Sequence, residues 1–188
     1  MPLPDRPRRI RVVGVSGSGK SSLAAKVADV LDLPRLELDA VFWDADWTFR
    51  DLAEARGIVR EFLAAHPHAW VVDGNWLSRL DGMLDPGSPD GPDTVVWLDH
   101  PRSVVMRRII WRTLRRGILR QELWHGNRER PTSWVRLDPD ANIMVWSWTQ
   151  YAPIRGGWRE RAEAGWPILR LSGQREVDAW LAQLTTGD

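Results

Sequence analysis

Gly14-Val15-Ser16-Gly17-Ser18-Gly19-Lys20-Ser21 matches the pattern G-x-x-x-x-G-K-[ST] at every position. The chemistry served by that spacing is the cradling of a triphosphate. Glycines at 14, 17 and 19 allow a turn tight enough for backbone N–H groups to converge on phosphate oxygens, where a Cβ would intrude. A helix beginning directly after the loop adds its positive end to the same anion. Lys20 is expected to reach the β- and γ-phosphates and the Ser21 hydroxyl to ligate Mg²⁺, with Ser16, Ser18 and Ser22 in the same nucleotide-binding set. A plain glycine turn would explain the glycines but not the Lys-Ser pair between a strand and a helix.

Carboxylates are the next requirement. Two apolar strands end in aspartate, at Asp73 and Asp99, and either could hold the magnesium. Asp99 has a competing use as a helix cap, because Pro101 opens a helix two residues later. Asp73 is followed by Gly74-Asn75, where backbone can approach a ligand, so the metal pair favoured is Ser21 with Asp73. Asp39 is expected at the end of the second strand, on the sheet edge where ligands of open parallel sheets bind. There it could orient or deprotonate an acceptor hydroxyl, or be an ordinary solvated loop aspartate beside Asp44 and Asp46.

Arg108, Arg112, Arg116 and Arg120 recur every four residues and form one stripe on a helix. Met106, Ile110, Trp111, Leu114 and Ile118 are expected to pack inward from the other side. Stacked arginines repel one another, so an anion should compensate them, and phosphate is the reading preferred beside such a loop. A solvated face pairing with Glu122 and Glu129, or a nucleic-acid-facing helix, would use the same residues. His66, His68, His100 and His125 lack metal-ligand spacing and read as surface or capping residues.

The elements that position these groups alternate. Strands are expected at 10–13, 35–39, 69–73, 94–98 and 167–171. Helices are expected at 22–31, 51–65, 77–84 and from Pro101 to between Arg116 and Arg120. Residues 121–135 read as irregular. Asp140 is placed to cap a helix through Tyr151, Gly156-Gly157 to break the chain before a helix at 158–164, and residues 175–184 to form the last helix. Strand-helix alternation makes the fold α/β with a parallel sheet.

The 188 residues suit one domain, 1–188, with an acceptor-side segment at 39–66 and a lid-like segment at 112–135. A net charge of +1 argues against a globally basic nucleic-acid binder, although 24 of the 26 basic residues are arginine. No cysteine is present, which excludes thiol catalysis. Most of the 13 tryptophans are expected to fill the core or cover helices, with a few lining a cleft. Residues 1–9 read as no signal peptide and no apolar run suits a membrane, so a cytoplasmic protein is expected.

Together these landmarks resemble the adenylate-kinase-like P-loop kinases, and more closely the small bacterial proteins called adenylate kinases or DNA topology modulation (FlaR-type) proteins. The matching residues are Gly14–Ser21, Glu37-Leu38-Asp39 with Phe42-Trp43, Trp70-Val71-Val72-Asp73-Gly74-Asn75, Trp97-Leu98-Asp99, the arginine series and Leu123-Trp124-His125-Gly126-Asn127-Arg128-Glu129. The resemblance implies a P-loop NTPase three-layer fold with strand order 2-3-1-4-5 and helices on both faces. It implies ATP and Mg²⁺ as cofactors, Asp39 near the acceptor, and Arg112, Arg116 and Arg120 at or near a mobile lid. Asn75-Trp76 stands where true adenylate kinases carry an aromatic-Pro-Arg sequence. The expected activity is transfer of the γ-phosphoryl group of ATP to an unidentified small molecule. Lys20, Asp39, Arg112 and Arg116 would be catalytic, with Arg108 and Arg120 on the nucleotide. The second reading is a regulatory or DNA-associated ATPase without a small acceptor.

Overall fold

Residues 3–129, 134, 136, 138, 139 and 142–186 are described by a computed structural model of the chain. Strands β1 (Arg9–Gly14), β2 (Arg35–Glu37), β3 (Trp70–Asp73), β4 (Thr94–Leu98) and β5 (Ile168–Leu171) form one parallel sheet in the order β2-β3-β1-β4-β5. The register sets Val12 beside Asp73 and Gly14 beside Leu98, so the loop after β1 rises between the ends of β3 and β4. Successive residues along a strand face opposite layers. Ile10, Val12, Val71, Val96 and Leu98 pack on α1 (Lys20–Leu31) and α6 (Gln174–Thr186). Trp70 and Val72 face α2 (Leu38–Phe42) and α3 (Leu52–Ala65), while Val95 and Trp97 face α5 (Ile143–Glu163). Burial on both faces explains why the strands read as unbroken apolar runs. The result is the three-layer α/β P-loop NTPase fold. No helix among the described residues is long and apolar enough to cross a membrane.

Several elements depart from the sequence expectation. β2 stops at Glu37, because Leu38 turns fully into the core and opens α2, so Asp39 lies in a helical first turn rather than at a strand end. Leu77–Arg79 forms only a 3-10 turn. The helix α4 (Arg102–Ile118) buries Val105, Ile109, Thr113 and Gly117, whereas Trp111 and Ile118 are 70 % and 73 % exposed. The inward face was thus misphased: half of it consists of small residues that carry no apolar signature. A small residue is required at Gly117 because the Trp134 ring occupies the place of a Cβ there, while Val105 and Ile109 lie against Gly17 of the loop. Arg120 follows the helix end at φ +47° and is exposed, so it leaves the stripe.

Gly156-Gly157 does not break the chain, and α5 runs through both glycines and Pro153. Its buried Ser147, Tyr151 and Trp158 anchor it, which outweighs the cost of about 1 kcal/mol per interior glycine. Its cap is Asn142, whose Oδ1 accepts from Met144 N at 3.0 Å; Asp140 lies outside the described residues. Asp99 is no cap either, since α4 begins without a side-chain cap. Its carboxylate, 2 % exposed, accepts from Arg155 and Arg170, two residues far along the chain. His100 is buried rather than superficial.

Candidate functional site: the phosphate loop and its carboxylates

Loop geometry follows from its glycines. Gly14 has φ +143°, and a Cβ there would lie 2.7 Å from the Leu98 carbonyl oxygen and 2.9 Å from Ser18 Oγ. Gly17 and Gly19 take φ +84° and +97°, the latter ending the loop directly before α1. A turn from Ser18 N to Val15 O at 3.1 Å closes the bend. Ser18 Oγ is buried and makes no hydrogen bond among the described residues. Ser22 is exposed on the first turn of α1. Lys20 Nζ donates to Val15 O at 3.3 Å, a long contact that leaves most of its donor capacity for a ligand. Burial lowers the ammonium below the usual lysine range, opposed first by Asp39 and then by Asp73.

Asp73 meets the loop from β3. Its Oδ2 accepts from Ser21 Oγ at 2.6 Å, while Oδ1 accepts from Arg35 at 3.1 and 2.9 Å. Burial lifts the Asp73 carboxyl above its usual range, against the Ser21 hydroxyl and Arg35, which lower it. A hydroxyl and a carboxylate this close suit a hard divalent cation that keeps waters and phosphate oxygens as its other ligands. No group of three or more His, Asp or Glu side chains that could hold a metal ion occurs among the described residues, so phosphate oxygens would have to complete the shell. The glycine cradle, Lys20 and this pair therefore fit Mg-ATP. Asp99, engaged by two guanidinium groups, offers no such position.

Asp39 is brought to the same edge by α2. Its Oδ1 accepts from Trp76 Nε1 at 2.7 Å, and Trp76 stacks on Phe42 with ring centroids 4.6 Å apart. Trp76 holds φ +28°, a strained value for a bulky residue and one that aims its indole at Asp39. Of the stripe, Arg108 Nη1 donates to Ser18 O at 3.1 Å and Nη2 to Gln174 Oε1 at 2.8 Å. Arg112 Nη2 reaches Ser16 Oγ at 3.3 Å, and Arg116 lies 4.0 Å from Glu129. Burial lowers both Arg112 and Arg116. Lys20, Asp39, Asp73, Arg108 and Arg112 thus gather about one loop, Arg116 stands beside Glu129, and Arg120 lies exposed past the helix end.

Some supports were not foreseen. Asn75 clamps the loop entrance: its Oδ1 accepts from Gly14 N at 3.3 Å and its Nδ2 donates to Gly14 O at 2.9 Å. Arg11, fully buried in β1, donates to Leu84 O and Asn75 O at 2.9 and 2.6 Å, and burial brings its pKa down to about 10. A single arginine inside an apolar strand was the available signal. The turn Trp124–Gly126 lies against the turn Ala45–Trp47. Asn127 Oδ1 accepts from Trp47 N at 2.9 Å, and its Nδ2 donates to Asp44 O at 2.7 Å.

No family model and no curated protein sequence matches the chain. Solved structures do. A gluconokinase from Sinorhizobium meliloti 1021 is 22% identical with a TM-score of 0.53, covering 96% of this chain and 95% of its own. Shikimate kinase from Acinetobacter baumannii in complex with shikimate is 16% identical with a TM-score of 0.57, covering 94% and 90%. Deoxyadenosine kinase from M. mycoides with bound dATP is 11% identical with a TM-score of 0.51, covering 95% and 100%. At these identities the likeness is one of fold alone: the chain shares its five-stranded α/β architecture with these three kinase structures.

Proposed function

We propose that the protein is an ATP-dependent phosphotransferase acting on a small molecule. The observation that carries the reading is the 2.6 Å contact between Ser21 and Asp73 at the mouth of a glycine loop that also presents Lys20. Mg-ATP would supply the γ-phosphoryl group and part of the charge neutralisation. Loop amides and Lys20 hold the phosphates, and Ser21 with Asp73 holds the cation. Asp39, oriented by the Trp76 indole, positions the acceptor hydroxyl and accepts its proton. Arg112 and Arg116 meet the charge that spreads over the transferring oxygens. Segment 112–135 serves as the lid and 39–66 as the acceptor side within one domain. The narrower kinship with the DNA topology modulation group rests on the sequence landmarks.

Lys20→Ala tests the reading. Wild type should melt higher in Mg-ATP, because a ligand binding only the native state stabilises it, and the variant should lose that rise while remaining folded. A wild type insensitive to millimolar Mg-ATP would overturn it. A phosphoryl-transfer screen with labelled ATP against nucleosides, nucleotides and sugar acids would then identify the acceptor.

A further inference from the structure

The arginine stripe already has an anion. Glu129 points its carboxylate at Arg116 from 4.0 Å, and its side chain is only 10% exposed. Arg112 and Arg116 both pull the Glu129 carboxyl down, yet burial outweighs them and holds it above its usual range. Arg112, one turn before Arg116, reaches Ser16 Oγ of the loop at 3.3 Å, and its buried Nε has no hydrogen-bond partner among the described residues. Arg112 thus touches the loop while its neighbour Arg116 faces the carboxylate, and the charge of both bears on Glu129.

What delivers Glu129 is a docked turn. Glu122 bridges Arg128 in antiparallel fashion, and Leu123 N donates to Asn127 O at 2.7 Å. Asn127, 4% exposed, is fastened to the 44–47 backbone, and Trp47 Nε1 donates to Arg128 O at 3.3 Å. Residues 127 and 128 are therefore fixed on the acceptor side, and Glu129 is the next residue.

Resting on the phosphotransferase reading, we propose that Glu129 is a built-in competitor of the nucleotide, its carboxylate contending with the phosphates of ATP for Arg112 and Arg116. Two anions cannot share one guanidinium pair without repulsion, so phosphate entry displaces the carboxylate. That displacement weakens nucleotide binding and pulls on the segment latched to the acceptor-side turn. After transfer, the returning carboxylate favours release of the spent nucleotide.

The test titrates Mg-ATP and adenosine into the full chain, following tryptophan fluorescence, for wild type, Glu129→Gln and Glu129→Ala. Thermal melting checks that each variant is folded. Both variants should bind Mg-ATP roughly tenfold tighter than wild type, with adenosine, which has no phosphate, unchanged. In an Arg116→Ala background the gain from Glu129→Gln should shrink, as coupled neighbours require. Equal or weaker Mg-ATP binding by both neutral variants would overturn the proposal, leaving the carboxylate as a support that holds the arginines in place. So would an undiminished gain in the Arg116→Ala background. A wild type that binds no Mg-ATP would instead overturn the phosphotransferase reading, and this inference with it.

Discussion

Replacing each strand-end aspartate by asparagine separates stability from function. Asp99 accepts from Arg155 and Arg170 with a side chain 2% exposed, while the arginines are 35% and 47% exposed. Breaking a fully buried pair costs about 3–5 kcal/mol, but here both partners can turn towards water, so about 2–3 kcal/mol is expected. For a chain of this length, 1 kcal/mol corresponds to roughly 2–4 °C, so Asp99→Asn should melt about 5–10 °C lower. It should keep its rise in Mg-ATP. Asp73→Asn should behave oppositely. Burial raises the folded pKa of Asp73, so its contribution is favourable only when protonated and is lost as pH rises through that value. Near neutrality the ionised group costs the fold something, and an amide removes that cost while still accepting from Ser21. Stability within about 1 kcal/mol of wild type is expected, with the Mg²⁺-dependent part of the nucleotide-induced shift gone. Differential scanning fluorimetry with and without Mg²⁺ and ATP measures both. The assignment fails if Asp99→Asn melts like wild type and loses the Mg²⁺ dependence while Asp73→Asn retains it.

Arg112→Ala should reduce turnover by on the order of 10²-fold with a much smaller change in ATP affinity, measured by steady-state kinetics and nucleotide titration. Unchanged turnover with weakened, less salt-dependent DNA binding would favour the polyanion reading instead. Ile109→Ala should cost about 2–5 kcal/mol in denaturant unfolding, whereas Trp111→Ser should stay within about 0.5 kcal/mol, because only the first faces the core. Burial, then Arg108, lowers the His100 pKa below 6.5, opposed by the Ser172 backbone, Asp99 and Glu176. Its stabilising contribution is present above that ordinary value and lost as pH falls through the lowered one. Wild type should therefore lose more melting temperature between about pH 7.5 and 5 than His100→Gln, and parallel curves would contradict this.

Much of the fold was legible because the strands are buried on both faces: Val12-Val13, Val71-Val72 and Val95-Val96-Trp97 leave no alternative to a covered sheet. The loop was legible because its glycines each meet a local steric demand. What escaped notice depended on partners distant in the chain. Nothing near Asp99 announces Arg155 or Arg170, 56 and 71 residues away. The phase of α4 was misread because the buried Thr113 and Gly117 carry no apolar signature, and Gly117 leaves room for the Trp134 ring. Gly156-Gly157 looked like a break in α5, although Tyr151 Oη donating to His100 O at 2.9 Å holds that helix to the end of β4. Asp39 was read at the right edge of the sheet but in the wrong element, since Leu38 is drawn into the core one residue before it.

Gly17 touches α4 near its start, at Val105 and Ile109, and the far end of that helix carries the chain into the 119–129 segment. Such an arrangement is a lever with a short input arm. From Val105 to Ile118 the rod extends roughly 20 Å at 1.5 Å per residue, so a tilt of about 5° carries its tip nearly 2 Å. A displacement of a few tenths of an ångström at the loop, such as the proposed binding of phosphate would bring, would thereby be magnified at Arg116 and at the latch beyond it. Adding a methyl group to Gly17 would press on the fulcrum, and its effect should register far from the substitution, in the mobility of residues 119–129.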